Sequence, residues 1–143
     1  MLGNRGMPRI TLERQLELLH EELSAAMPEQ REQYQGLLEA AGALKAGRLR
    51  ILTSEEFREM ARRFQEATAD ELPGRLARTG ELIVSAVCDE SEGITEAVTS
   101  LFSWLTDRER FSTAWICEVR KTGEMVRAAL AGRACVRTCG VDD

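Results

Sequence analysis

Apolar residues recur at three- and four-residue spacing along most of the chain, and no stretch alternates at a period of two for long enough to make a strand. The pattern predicts an all-α protein. Leu12, Leu16, Leu19 and Leu23 form the first stripe, with Thr11 placed to cap it. Pro28 suits the first turn of a second helix that carries Leu37, Leu38, Ala41 and Leu44, and Gly47 suits its end. Thr53 and Glu56 have the spacing of a capping box ahead of Phe57, Met60, Ala61 and Phe64. After Cys88 the run DESEG predicts a turn, followed by a helix with Ile94, Val98, Leu101, Phe102 and Leu105. Phe111, Trp115, Ile116 and Val119 predict a short helix. Met125, Val126, Ala129 and Leu130 predict another behind a cap at Thr122, and residues 132–143 read as a frayed tail.

One helix breaks the amphipathic pattern. It starts at Pro73 within LPGRLARTGELIVSAV (residues 72–87) and is apolar on nearly every side over residues 82–88, which requires burial against several neighbours. Gly80 lies inside it. A glycine costs a helix interior about 1 kcal/mol relative to alanine, so it marks a place where another backbone comes close. The first turn carries Arg75 beside the positive end of the helix dipole. Either Asp70 and Glu71 neutralise that charge, or the local rule is broken because Arg75 has a function.

Length and composition fit this picture. A chain of 143 residues, 43% hydrophobic, forms one domain with a single core, here residues 1–143 with its core over about 10–131. The formal net charge is −5, and the basic residues are interspersed with acidic ones, so no cationic stripe is available to follow a phosphate backbone. Nucleic acid is excluded as an expected partner. Cys88, Cys117, Cys135 and Cys139 have neither a disulfide framework nor zinc-site spacing, and are expected to be reduced thiols in an intracellular protein. No segment reads as a secretion signal or approaches the roughly 20 apolar residues of a membrane span, so a soluble protein without an integral anchor is expected.

Catalytic chemistry is sparse. His20 is the single histidine, and Glu17 stands three residues before it, the spacing used in carboxylate-bridged di-iron bundles. That site needs a second histidine, so His20 reads as a helix-surface residue. No nucleophile elbow, phosphate-binding glycine loop or Cys/His pair occurs. Neither an enzymatic activity nor a metal or cofactor is expected.

In their order along the chain, three short motifs resemble the Bcl-2 family of apoptosis regulators. LPGRL keeps Gly74 and Arg75 of the family's Asn-Trp-Gly-Arg, which opens its buried central helix, while Leu72 and Pro73 replace Asn and Trp. GLLEAAGAL supplies Leu38 and Gly42 of the Bcl-2 homology 3 (BH3) motif, with Ala43 in place of Asp. WICE, residues 115–118, is similar to the first half of the homology 2 motif, whose Gly-Gly-Trp is absent here. The short link at residues 27–29 is similar to that of the compact homologues of large DNA viruses, of the iridovirus type.

The resemblance implies a bundle of about seven to eight helices around a buried central helix over residues 76–87. It implies an anti-apoptotic protein that takes the BH3 helix of pro-apoptotic partners into a hydrophobic groove, and so inhibits host-cell apoptosis. Leu44, Phe57, Met60 and Phe64 would line the groove. Gly74, Arg75, Arg78 and Thr79 would join them from the start of the central helix, with Arg75 at the groove's rim pairing the ligand's acidic residue. Bim-like BH3-only proteins are the implied partners, Bax and Bak are further candidates, and a homodimer is allowed. The implied location is the host cytoplasm, with peripheral contact at the mitochondrial outer membrane. Phe57, Met60 and Phe64 are equally compatible with plain core, and a homo-oligomeric, chaperone-like bundle is the alternative function.

Overall fold

The helical period is realised as six α-helices and one 3-10 helix among the described residues, 7–71 and 78–138, of the computed structural model. They are α1 (Arg9–Ala26), the 3-10 helix (Pro28–Tyr34), α2 (Gln35–Ile51), α3 (Ser54–Ala67), α4 (Thr79–Ser91), α5 (Glu96–Leu105) and α6 (Thr113–Thr138). No strand occurs among these residues, so the chain is an all-α bundle. No helix among them is long and apolar enough to cross a membrane.

The all-round apolar helix is the axis of the bundle. Helices α1, α3, α5 and α6 all pack on α4, and every residue over 83–89 is buried. This is why α4 has no polar face. Gly80 does the work its position suggested: a Cβ there would lie 2.7 Å from the backbone oxygen of Ala61 and 3.1 Å from its Cα, so α3 and α4 touch backbone to backbone. Gly123 plays a similar part in α6, where a Cβ would meet the Phe102 ring at 2.8 Å.

Two apolar clusters flank the axis. Ile10, Leu52, Phe57, Val84, Val87, Ala97 and Val126 belong to the first. In the second, Phe64 meets Trp115 edge to face at 5.3 Å, Phe111 stacks on Trp115 at 5.0 Å, and the Trp115 indole N–H donates to the Leu105 carbonyl at 3.2 Å. Polar contacts fix α1 on the axis. Asp89, almost fully buried, accepts the backbone N–H of Arg9 at 2.9 Å and its Nε at 2.7 Å. Arg14 pairs with Glu81.

Several boundaries differ from the sequence expectation, each for a local reason. Helix α1 starts after Pro8, whose fixed φ suits a helix entry, so Thr11 lies inside the helix and caps nothing. Pro28 opens the 3-10 helix, and α2 begins only at Gln35. Gly47 does not end α2, which continues to Ile51 so that Arg48 reaches Glu13 and Leu52 enters the core. The Thr53 cap holds: its Oγ1 accepts the Glu56 N–H at 3.2 Å.

Helix α4 runs through Asp89 to Ser91, because Asp89 is needed inside for Arg9. The turn falls instead at Gly93, with φ of 89°. The two helices expected over 111–119 and 122–130 are one, α6, with Thr122 buried in its interior. That fusion reduces the expected seven to eight α-helices to six among the described residues. It also carries helix to Thr138, into the segment expected to be frayed.

His20 is a further correction. It is 8% exposed rather than on the surface, while Leu19, expected in the apolar stripe, is 46% exposed. The buried line of α1 runs through Glu13 and His20, seven residues apart, because Glu13 pairs with Arg48 of α2.

Candidate functional site

Helices α3 and α6 border an open cleft, in two hollows. Residues 55–60 of α3 lie near 125–129 of α6, and Phe64 lies near Thr122, so the two helices run antiparallel along it. The first hollow, about 450 Å³, is lined by Glu55, Glu56, Glu59, Met60, Arg63, Met125 and Ala129. The second, about 260 Å³, continues past Arg63 and Met125 to Phe64, Glu118, Lys121 and Thr122. Arg63 Nη1 donates to the Met125 sulfur at 3.8 Å, crossing between the two helices where the hollows meet. Glu59 is held at the rim by hydrogen bonds from Arg62 and Arg63, which bring its carboxyl down to about 2, and Glu56 pairs with Arg133.

The six expected groove residues that lie among the described residues fall at different places on the bundle. Met60 and Phe64 border the α3–α6 cleft; Met60 is half-buried against the first apolar cluster, and Phe64 is core, packed in the second. Phe57 is core, lying under the Arg48 guanidinium at 4.6 Å from its ring centroid. Leu44 is half-buried on α2, away from the cleft. Arg78 is exposed at the N-terminal end of α4, and Thr79 is buried. Gly74 and Arg75 lie outside the described residues. Gly42 is exposed, with nothing within 4 Å of where a Cβ would stand.

Met125 and Arg63 were missed from sequence. Met125 belonged to a recognisable apolar stripe, but only a continuous α6 presents it opposite Met60.

A further hollow, about 550 Å³, lies along the first half of α6 and is lined by Arg108, Thr113, Ile116, Cys117, Arg120, Lys121 and Glu124. Cys117 is exposed there, whereas burial pushes the Cys88 thiol up to about 12. Of these two, Cys117 alone should react with a maleimide in the folded protein at pH 7 to 8, as mapped by peptide mass. The raised Cys88 value also gives a sign for stability. The folded state holds the thiol proton more tightly than the unfolded chain does, so this group is neutral to stability below the ordinary value near 9.0 and lowers stability as pH rises from there to about 12. Cys88→Ala should flatten that alkaline decline in denaturant titrations.

Among the described residues no group of three His, Cys, Asp or Glu side chains could hold a metal ion, and Glu17 is exposed on α1 while His20 is buried. What the described surface offers is a methionine-floored cleft between two helices. Compared with protein-family models, curated proteins and solved structures, the chain matches none.

Proposed function

We propose that the chain is a binding module, a Bcl-2-like inhibitor of apoptosis that takes up the BH3 helix of a pro-apoptotic protein, and that binding without catalysis is its activity. The observation that carries the reading furthest is the pairing of Met60 with Met125 across the α3–α6 cleft, next to Phe64. Methionine adapts its shape and presents a polarisable apolar surface, the property used by surfaces that receive amphipathic helices. The cleft follows one helix direction and is open to solvent, as a helix-in-groove site needs. The ordered likeness of LPGRL, GLLEAAGAL and WICE to family motifs makes a BH3 helix the candidate ligand. Exposed Leu18 and Leu19, side by side on α1, favour homo-oligomerisation as the second reading, which sedimentation at several concentrations separates from a monomer.

Calorimetric titration of the full chain with a panel of BH3 peptides tests the proposal. At least one peptide should bind. Arg75→Ala should weaken it by about tenfold or more, since truncating one partner of a desolvated interfacial charge pair costs roughly 2–5 kcal/mol and each 1.4 kcal/mol is a factor of ten. Met125→Glu should weaken the same peptide by setting a carboxylate on the cleft floor. Absence of binding across the panel rejects the function. Loss with Arg75→Ala but not with Met125→Glu keeps the function and moves the ligand out of the α3–α6 cleft.

A further inference from the structure

The seam between α1 and α2 is poorly matched. Three of the four buried side-chain polar atoms that lack a hydrogen-bond partner among the described residues fall in line with the Glu13–Arg48 pair: His20 Nε2 and Ser24 Oγ on α1, and Arg48 Nε on α2. The Glu13–Arg48 pair, 3.1 Å, sets an antiparallel register. Two turns on from Glu13 stands His20, and two turns back from Arg48 stands Ala41; both are buried, so the register sets an imidazole opposite a methyl group. Ser24 falls one turn further, level with Leu37 and Leu38. Aliphatic side chains cannot answer these polar groups.

Helix α2 is also weak in itself. It contains Gly36, Gly42 and Gly47, and a Cβ at each would meet nothing within 4 Å, so no close approach requires them, unlike Gly80. Each lowers helix stability relative to alanine. Its N-terminus has no side-chain cap, and Ala41 is its one fully buried residue. It packs chiefly on α1 and only lightly on α4.

We propose that the face of α1 beneath α2 is a docking surface for a partner helix, and that α2 is its resident placeholder. Charge decides the occupant. Glu13 is 6% exposed, and a buried carboxylate requires a cation from whatever covers it. The partner is therefore an amphipathic helix that sets Lys or Arg over Glu13 and, two turns away, a hydrogen-bonding side chain such as Ser or Asn against His20, the position α2 fills with Ala41. This surface is separate from the α3–α6 cleft and does not depend on the function proposed for it.

The test uses the full chain and, as probe, a synthetic peptide of residues 35–52 carrying Gly36→Ala, Gly42→Ala and Gly47→Ala, followed by anisotropy and by hydrogen exchange with mass spectrometry. In the free chain the α2 amides should exchange faster than those of α4. The peptide should bind and deprotect the resident α2 while α1 stays protected. Resident α2 competes at an effective concentration on the order of millimolar, so binding is read at high peptide concentration. Adding Ala41→Ser to the peptide should tighten it about two- to tenfold by answering His20, and Arg48→Glu should abolish binding. Installing the three alanines in the chain's own α2 should weaken peptide binding about thirtyfold or more. The proposal is overturned by α2 amides as protected as those of α4, by peptide binding that leaves α2 protected, or by binding indifferent to Arg48→Glu. Dimerisation in place of peptide binding, with α2 exchanged between two copies, overturns it as well.

Discussion

Gly80→Ala is expected to destabilise the fold by about 2–3 kcal/mol, the upper part of the usual range for overpacking a well-packed site. Alanine is ordinarily the better helix former by about 1 kcal/mol, so a measured loss would reverse the intrinsic preference. The reversal comes from what the new methyl meets. Its nearest neighbours are the oxygen, Cα and carbonyl carbon of Ala61, at 2.7, 3.1 and 3.3 Å, all of them backbone. A side chain could rotate away, but a helix backbone moves only by shifting the helix, and α3 carries Phe57 and Phe64 into the two apolar clusters. Chemical denaturation of Gly80→Ala beside Gly42→Ala gives the contrast. Gly42 has open space around it, so its substitution should leave stability unchanged or raise it by up to about 1 kcal/mol. Equal, small effects at the two positions would mean that α3 and α4 are not in backbone contact.

What could be read from sequence was what is decided locally. The Thr53 cap depends on residues three apart. The burial of α4 is announced by its lack of a polar face, and the meaning of Gly80 by its cost in such a helix. What could not be read depends on pairing at long separation. Leu18 and Leu19 stand together on α1, and choosing between the stripe through Leu19 and the stripe through His20 requires knowing that Arg48 lies opposite Glu13, 35 residues away. Thr122 and Gly123 imitate a helix break, yet Gly123 is there to admit the Phe102 ring.

The cleft shows the same division. Met60 and Phe64 were legible as one face of α3. Their counterpart Met125 became visible only through the fusion of two expected helices into α6, and its contact with Arg63 spans 62 residues. Phe57 and Phe64 looked alike by period. The packing keeps both in the core: Phe57 lies in the first cluster beneath Arg48, and Phe64, 2% exposed, lies in the second against Trp115 and borders the cleft.

Trp115→Ala is expected to cost about 3–5 kcal/mol, the range for removing a large buried aromatic side chain, and to be the most damaging single truncation in the second cluster. The indole is 1% exposed and joins three parts of the chain: Phe64 of α3 edge to face, Phe111 by stacking, and the Leu105 carbonyl at the end of α5 by hydrogen bond. Aromatic pairs of these geometries contribute about 0.5–1.5 kcal/mol beyond their buried area, so two partners lose part of their own stabilisation with it. Trp115→Phe divides the effect. It keeps most of the ring contacts and removes the N–H, leaving the Leu105 carbonyl without its indole donor at a cost of about 1–3 kcal/mol. Because Phe64 rests on Trp115 and also edges the α3–α6 cleft, Trp115→Ala should further blur the second hollow, and a folded Trp115→Phe should leave it intact. Near-wild-type denaturation midpoints for Trp115→Ala would contradict the placement of this side chain as the joint between α3, α5 and α6.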